Sequence, residues 1–179
     1  DLDNDGDIDL YVVNGSTLDT YRSKSGPGNA LYRNEGDGTF AERGAEAAVA
    51  DAGWGNGCAV GDIDNDGYRD LYVTNYGENV LYHNRADGSF DDITAAAGAG
   101  GDQYSSSAAF FDCDNDGDLD LYVAHYVAFD VEDMPDDATQ EKLCVFLGGV
   151  VYCGPGGMPS TGDILYRNEG DNTFADVTV

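Results

Sequence analysis

Three copies of one nine-residue motif constrain this chain more than any other feature of its sequence. The copies begin at Asp1, Asp62 and Asp112, and each has aspartate at positions 1, 3, 5 and 9, glycine at position 6, and Leu-Tyr-Val directly after it. Four carboxylates within one tight turn repel each other strongly unless a cation lies among them. The glycine lets the backbone turn sharply beneath such an ion. The motif therefore predicts a loop that binds a metal ion.

The chemistry of the motif favours calcium. An all-oxygen ligand set suits a hard cation, and flexible mixed coordination favours Ca²⁺ over the strictly octahedral Mg²⁺. We predict two to three Ca²⁺ ions, with position 7 contributing only its backbone carbonyl, because its residue type varies freely. The predicted metal ligands are Asp1, Asp3, Asp5, Asp7 and Asp9 in the first copy, Asp62, Asp64, Asp66, Tyr68 and Asp70 in the second, and Asp112, Asp114, Asp116, Asp118 and Asp120 in the third.

Two other interpretations of the motif explain less. An EF-hand loop would carry glutamate at position 12 and then a helix, whereas position 12 here is Val12, Val73 or Val123, inside a predicted strand. The motifs could also be plain surface turns, since Asp, Asn and Gly favour turns. That interpretation does not explain why positions 1, 3, 5, 6 and 9 agree while positions 7 and 8 vary.

A second signature, Leu-Tyr-Arg/His-Asn followed by a turn and a Phe, comes after each acidic motif. The segments around it are short and rich in β-branched and aromatic residues, which indicates strands. Asp-Gly at 37–38 and 87–88 predicts a tight hairpin turn with positive φ, so Asp37, Asp87 and Asp171 are expected to form turns rather than bind metal. About four antiparallel strands in roughly 50 residues match the period of a propeller blade. The predicted fold class is all-β, a partial β-propeller of about three four-stranded antiparallel blades with calcium loops.

The repeat has a constant framework with one variable gap, which lies between the last ligand and the next signature. The predicted blade units are approximately 1–53, 54–103 and 104–179, with an insertion at 127–158 in the last unit. Successive connections of an antiparallel meander alternate between the two ends of a sheet. The acidic loops and Asp-Gly turns are therefore expected on one face, and the insertions and linkers on the other.

Longer stretches carry a family resemblance. They are Gly61-Asp-Ile-Asp-Asn-Asp-Gly67, the Asp70-Leu-Tyr-Val73 that follows it, and Cys153-Gly-Pro-Gly-Gly-Met-Pro159. With them the chain resembles FG-GAP/VCBS-type calcium repeats, is similar to the blades of the integrin α-subunit propeller, and more narrowly resembles the cartilage acidic protein family. The resemblance implies a seven-bladed secreted propeller whose loops hold Ca²⁺ through the aspartates already named.

The sequence departs from that family pattern in two ways. The literal Phe-Gly and Gly-Ala-Pro signatures are replaced by Trp54-Gly-Asn-Gly-Cys58 and Ser105-Ser-Ser-Ala-Ala109. Only about three of the implied blades are present, so we expect an internal fragment or a processed product. The remaining blades or domains of a parent protein are then expected partners.

The four cysteines suggest one local disulfide. Cys144 and Cys153 are symmetric about Gly148-Gly149, and a two-residue turn there would place them opposite each other. A disulfide between them would indicate an oxidising compartment, and two free thiols on a loop are the alternative. Cys58 and Cys113 are expected to be small core residues rather than a bond between blades.

The net charge of −27 argues against nucleic acid or an anionic membrane as a partner. No stretch approaches the roughly 20 apolar residues of a membrane span, so membrane insertion is not expected. The predicted location is secreted and extracellular, or periplasmic and at the cell surface.

The favoured function is a non-enzymatic adhesion or matrix-binding module, because calcium explains the paired acids and no other catalytic arrangement stands out. The alternatives are a calcium-dependent polysaccharide lyase or hydrolase and a purely structural spacer. An extracellular protein or carbohydrate is the expected ligand, held on the insertion face by exposed aromatic rings. Packing between blades is the other role that such rings could have. The aromatic residues predicted to cluster there are Tyr21, Trp54, Tyr76, Tyr104, Tyr126 and Tyr152.

Overall fold

The computed structural model describes residues 1–128, 130–131, 143–152 and 159–179. Within these residues the chain forms three antiparallel sheets, a separate two-stranded hairpin and two short helices. The all-β prediction is confirmed. The elements are β1 (Leu10–Val12), α1 (Leu18–Arg22), β2 (Ala30–Asn34), β3 (Phe40–Glu42), β4 (Trp54–Gly61), β5 (Asp70–Tyr76), β6 (Val80–Asn84), β7 (Phe90–Asp92), α2 (Thr94–Ala97), β8 (Ser105–Phe111), β9 (Asp120–His125), β10 (Leu143–Phe146), β11 (Gly149–Tyr152), β12 (Ile164–Asn168) and β13 (Phe174–Asp176).

Each sheet is a meander of neighbouring strands. Sheet 1 has the order β1-β2-β3, sheet 2 has β4-β5-β6-β7, and sheet 3 has β8-β9-β12-β13, while β10 pairs with β11 alone. Sheets 2 and 3 have the four strands expected of a blade. Sheet 1 has three, since no described strand takes the place of β4 in it. None of the helices among the described residues is long and apolar enough to cross a membrane.

The hydrophobic core lies between the sheets rather than within one of them. One cluster joins sheet 1 to sheet 2, and a second joins sheet 2 to sheet 3, so sheet 2 is covered on both faces. This arrangement is consistent with a partial propeller, in which each blade packs against the next. The first cluster contains Leu2, Leu31, Ala47, Val49, Leu71, Val73, Tyr82 and Phe90, and the second contains Ala59, Ile63, Tyr72, Leu81, Ala97, Ala99, Leu121, Val123, Tyr166 and Phe174.

The two ends of the sheets carry different connections, as the meander predicted. At one end the hairpin loop after β12 reaches an acidic loop, since Asn172 Nδ2 donates to Asp64 Oδ2 at 3.3 Å. At the other end the insertion after β1 contacts the start of β4, where Gly55 N donates to the Asn14 carbonyl at 3.2 Å. Acidic loops therefore share a face with hairpin loops, and insertions share the opposite face with linkers.

The Asp-Gly hairpins are longer than predicted. Asn34 pairs with Phe40, so five residues connect β2 to β3 instead of a tight turn. Positive φ occurs at Gly38 as expected, at 90°, but the other left-handed residue is Gly36, at 71°, rather than Asp37. The tight-turn prediction is wrong because the signature leaves five residues between the paired positions.

The hairpin aspartates act as turn formers. The Asp37 carboxylate accepts hydrogen bonds from the backbone N–H and the hydroxyl of Thr39, at 2.9 and 2.6 Å. These bonds lower the pKa of Asp37. The same pairing recurs between Asp87 and Ser89 and between Asp171 and Thr173.

The β10–β11 hairpin turns one residue earlier than predicted. Phe146 pairs with Gly149, so Leu147 and Gly148 form the turn, with φ of 50° and 81°. Cys144 consequently pairs with Val151 in the strand register rather than with Cys153. Cys153 lies outside the described residues, and the disulfide stays a prediction.

The predicted burial of Cys58 and Cys113 is wrong, because both side chains are exposed and their thiols are free. Cys113 corresponds to Leu2 and Ile63, which the following sheet covers. No described sheet follows sheet 3. Cys58 lies on β4, and sheet 1 has no described strand opposite that position to cover it.

A buried asparagine links sheet 2, and likewise sheet 3, to the acidic loop of the sheet before it. Asn84 Nδ2 donates to the Leu2 carbonyl at 2.7 Å and to the Arg69 carbonyl at 3.0 Å. Asn168 repeats the cross-sheet bond to the Ile63 carbonyl at 2.8 Å. These bonds fix the spacing of consecutive sheets at the acidic end.

We predict that Asn84→Ala lowers the free energy of unfolding by about 2–4 kcal/mol, because it leaves buried carbonyls without donors. Asn34→Ala is the matched control, since the Asn34 side chain makes its hydrogen bonds within its own sheet, from Nδ2 to the Ile8 carbonyl at 3.3 Å and from Gly36 N to Oδ1 at 3.1 Å. It should cost less than about 1 kcal/mol. Urea denaturation measures both variants, and equal losses would contradict the importance of the cross-sheet bond.

Candidate metal centres

The three acidic loops have left-handed backbone at the same two positions. Asparagine at position 4 and glycine at position 6 have positive φ in every copy, from 59° to 62° for asparagine and from 92° to 99° for glycine. Asparagine tolerates the left-handed region, and glycine enters it without strain. A side chain at Gly6, Gly67 or Gly117 would meet no atom within 4 Å. The glycine is therefore required for its backbone conformation and not for lack of space.

This conformation brings carboxylates together within each loop. The loops place three carboxylate oxygens, one from each of three aspartates, within 4.8 Å of one another. Two oxygens bound to one Ca²⁺ at about 2.3–2.6 Å are at most about 5.2 Å apart, so the separation fits a shared calcium ion. The groups are Asp1, Asp3 and Asp5, then Asp62, Asp64 and Asp70, and then Asp112, Asp114 and Asp120.

Six of the predicted ligands do not belong to these three aspartate groups. Asp66 forms a group with Asp64 and His83. Within the described part of the chain, the remaining predicted ligands belong to no such group, and the role of position 7 through its backbone carbonyl stays a prediction. These residues are Asp7, Asp9, Tyr68, Asp116 and Asp118.

The aspartate at position 9 anchors the loop to its sheet. Asp70 is 1% exposed, and its two carboxylate oxygens accept the backbone N–H of Ile63 at 2.9 Å and of Asn84 at 2.8 Å. Asp9 and Asp120 accept from the equivalent positions. A carboxylate oxygen has a second acceptor site, so the same side chain can hold the loop and still face a cation.

Backbone N–H groups inside the loop orient the other carboxylates. In the second loop Gly67 N donates to Asp62 Oδ2 at 2.9 Å, and Tyr68 N donates to Asp66 Oδ1 at 2.8 Å. The third loop repeats both bonds. The first loop differs, because the Asp1 Oδ1 atom is buried without a hydrogen-bond partner. The second and third loops are therefore the better-formed centres.

Sequence reasoning did not assign a role to the basic residue of the second signature. His83 Nε2 lies 2.8 Å from Asp64 Oδ2, and Arg33 Nη1 lies 3.9 Å from Asp3 Oδ2, so each contacts position 3 of its own loop. Partial burial alone would lower the pKa of His83, but the hydrogen bond to Asp64 and the nearby carboxylates raise it overall. The recurrence of Arg or His at this position in all three copies was the available signal.

A row of aromatic rings crosses the opposite face of the molecule. Tyr21, Trp54 and Tyr76 contact one another at centroid distances of 5.3–5.8 Å, and Tyr104 then contacts Tyr76 and Tyr126 at 5.5 Å each. The predicted cluster is confirmed for these five residues, and the side chain of the sixth, Tyr152, lies outside the description. The rings pack edge to face across all three sheets, except that Tyr21 and Trp54 are tilted at 57° to each other. Tyr126, at the end of the row, is 51% exposed.

The buried loop anchor generates a pH prediction. Burial raises the pKa of Asp70 from 3.8 to about 6, in spite of its two backbone hydrogen bonds. Without a bound cation the folded chain therefore holds a proton more tightly than the unfolded chain does. The stabilisation from this proton is complete below pH 3.8 and is lost as the pH rises through about 6.

In calcium-free buffer, we expect the free energy of unfolding to fall between about pH 4 and pH 6.5. In saturating Ca²⁺ it should instead rise over this interval, because protons and cation compete for the same carboxylates. Urea denaturation at a series of pH values measures both curves. A rise with pH in calcium-free buffer would contradict the prediction.

Comparison with known proteins agrees with the repeat geometry. The model of a family described as FG-GAP-like repeat matches residues 1–73 and again residues 62–123, and each matched stretch contains two acidic loops. A search among curated proteins found no match. The two stretches together cover residues 1–123 of the 179, which is more than half, and the chain therefore belongs to the FG-GAP-like repeat family.

Proposed function

We propose that this chain is a non-enzymatic, extracellular module whose acidic loops bind two to three Ca²⁺ ions and whose opposite face recognises a matrix or cell-surface ligand. One observation carries the proposal: three loops with positive φ at the same two positions each bring oxygens of three carboxylates within 4.8 Å of one another. The net charge of −27 makes this convergence costly without a cation. The narrower likeness to cartilage acidic proteins and integrin α-subunit propellers belongs to the same proposal.

The ligand atoms that the loops offer are of the kind that calcium prefers. Every converging ligand in the three aspartate groups is a carboxylate oxygen, and Ca²⁺ accepts such ligands in flexible geometry. A bound ion would neutralise the repulsion within a loop and would hold its two halves together. Residues at positions 1, 3 and 9 would hold it in the second and third loops.

The expected gain in stability is large on the scale of a domain. A site filled at about 100 times its dissociation constant adds about 2.7 kcal/mol when the unfolded chain does not bind. The whole free energy of unfolding of a typical domain is about 5–15 kcal/mol. Two or three such sites would therefore decide whether the sheets stay assembled.

Calorimetric titration tests the metal assignment. The unmodified chain should bind two to three Ca²⁺ ions, and Asp114→Asn should remove about one of them, because it takes one carboxylate from the third loop. Asp87→Asn is the control, since Asp87 lies in a hairpin loop and hydrogen-bonds Ser89. An unchanged number of sites in Asp114→Asn, or a loss in Asp87→Asn, would contradict the assignment.

The proposed ligand surface is the exposed end of the aromatic row. Tyr126 presents half of its surface to solvent while Tyr104 supports its ring. A ring held in this way loses little entropy on binding, which suits contact with protein or sugar. The rest of the row packs between sheets, so its contribution is to hold that surface in place.

Arrays of extracellular polysaccharides and purified matrix proteins, probed in Ca²⁺, test this surface. We expect Tyr126→Ala to weaken binding to any retained component by about tenfold or more. Ile8→Ala is the control, because Ile8 is 68% exposed at the acidic end. If no array component bound the unmodified chain, or if both variants bound equally well, the proposed surface would be contradicted and the role of a spacer would be favoured.

The polysaccharide lyase or hydrolase alternative has less support. Such an enzyme needs a basic side chain that can bind a carboxylate of the substrate. Arg33 and Arg167 instead pair with Glu35 and Glu169, at 2.7 and 2.6 Å. In both arginines Nε and Nη2 donate to that glutamate, so part of each guanidinium is already engaged within the chain.

A further inference from the structure

The first and third units hold the basic residue of the second signature in the same way. In each of them an arginine donates to the glutamate two positions later in the chain. The pairs are Arg33 with Glu35, at 2.7 Å, and Arg167 with Glu169, at 2.6 Å. A guanidinium stays protonated in proteins and has no lone pair to offer, so neither arginine can bind a metal ion.

The second unit changes both of these positions. His83 stands in place of the arginine, and Arg85 stands in place of the glutamate. Arg85 Nη1 donates to Asp91 Oδ1 at 3.1 Å. The imidazole of His83 lies against the acidic loop, with Nε2 2.8 Å from Asp64 Oδ2. Unlike a guanidinium, an imidazole can lose its proton and offer a nitrogen lone pair to a metal ion.

Three atoms that can bind a metal ion converge at this point. His83 Nε2 and one carboxylate oxygen from each of Asp64 and Asp66 lie within 4.8 Å of one another. Of the groups of this kind among the described residues, it alone includes a nitrogen atom. The ligands of one tetrahedral zinc ion lie about 3.3 Å apart. A modest rotation of the exposed Asp66 side chain would bring the three atoms to that spacing.

A second departure from the repeat brings another polar side chain to the same aspartate. Asn172 of the third unit occupies the hairpin position that is Gly38 and Gly88 in the other two units. Its Nδ2 donates to Asp64 Oδ2 at 3.3 Å, from sheet 3 to the loop of sheet 2. Its Oδ1, one carbon atom away from that nitrogen, is buried and has no hydrogen-bond partner in the described part of the chain. A buried acceptor without a donor is costly, and a cation beside Asp64 would offset that cost.

The second loop has enough negative charge for two divalent ions. Asp62, Asp64, Asp66 and Asp70 carry a formal charge of −4, and one Ca²⁺ would reduce it to −2. The all-carboxylate group of this loop consists of Asp62, Asp64 and Asp70, whereas Asp66 belongs to the group with His83. Asp64 is a member of both groups, and its two oxygens can face two ions.

We infer that the second acidic loop binds a divalent transition-metal ion of the zinc class through His83 Nε2, Asp64 and Asp66, beside its calcium ion. Zn²⁺ accepts imidazole nitrogen together with carboxylate oxygen, whereas Ca²⁺ takes oxygen ligands. The inference rests on the proposed function in one respect, because it takes the second loop to be a cation site. The first and third loops, with arginine at the position of His83, would bind no such ion.

Zinc titration of the full chain in saturating Ca²⁺ tests the inference, at about pH 8 to favour the neutral imidazole. Long-range proton–nitrogen NMR of the two histidine side chains reports which nitrogen binds, and zinc held by cysteines alone leaves both unchanged. We expect Zn²⁺ to shift the Nε2 resonance of His83 and to leave His125 unchanged. A shift at His125 alone, or at neither histidine, would overturn the inference.

His83→Arg is the most informative variant, because it restores the residue found in the other two units. In calorimetry it should lose one zinc site, or bind zinc there at least about tenfold more weakly. Even the hydrogen-bond partners of metal ligands contribute about 10–100-fold to affinity. Zinc binding as tight in His83→Arg as in the unmodified chain would contradict the site.

His125→Asn is the matched control. Asn14 and Asn75 occupy the same repeat position, and all three residues donate their backbone N–H to the first side chain of the next signature. This variant should therefore fold normally and bind zinc like the unmodified chain. Loss of the zinc site in His125→Asn would overturn the inference.

Calcium calorimetry on the same proteins separates this inference from the proposed function. His83→Arg should bind as many Ca²⁺ ions as the unmodified chain, because the all-carboxylate group of the second loop is intact in it. If calcium binds and the His83 resonance does not respond to zinc, the transition-metal site alone is overturned. If calcium does not bind, the proposed function fails, and the His83 resonance still reports on the zinc site by itself.

Discussion

A buried aspartate at the end of each acidic loop connects the parts of this molecule. The Asp70 carboxylate accepts one backbone N–H from its own loop and one from Asn84, and Asn84 then donates across to the loop of sheet 1. Loop conformation, strand pairing and sheet stacking are thus joined through two side chains. Because the Asp and Asn recur in each unit, the same connection sets the register of every sheet against its loop.

In the proposed function, this connection would let the acidic end and the aromatic end have separate roles. The loops at one end are held in a conformation that concentrates negative charge, so that end is suited to cations. The aromatic row at the other end crosses three sheets, which fixes Tyr126 relative to all of them. A cation at the first end would stiffen the sheets that position the second. Metal binding and ligand recognition are therefore coupled through packing in the proposed function.

Much of the fold could be predicted from the sequence because the repeat is regular. The strands, the meander order and the separation of loops from insertions all follow from period, turn residues and alternation. The hairpin conformations were harder to predict, since Ala86 adopts a positive φ of 59°, which is uncommon for alanine. The turn at Leu147 was missed for a similar reason, because Gly148-Gly149 offered a more obvious turn one residue later.

The burial of individual side chains depended on what lies beside each sheet, which a sequence motif does not encode. Identical Leu-Tyr-Val segments are buried in β5 and partly exposed in β1. Cys113 was assigned to a core for the same reason. The contact between His83 and Asp64 required the actual register of β6 against its loop, although the repeated basic position was visible in the sequence.

Thermal unfolding in Ca²⁺, in Mg²⁺ and in chelator tests the central claim most directly, namely that the acidic loops are calcium sites on which the stacked sheets depend. Two to three filled sites should raise the melting temperature by about 10–30 °C in Ca²⁺ relative to chelator, at a metal concentration about 100 times the dissociation constant. Mg²⁺ should give a much smaller shift. Equal melting temperatures under all three conditions would contradict the claim, and the loops would then be turns that hold no ion.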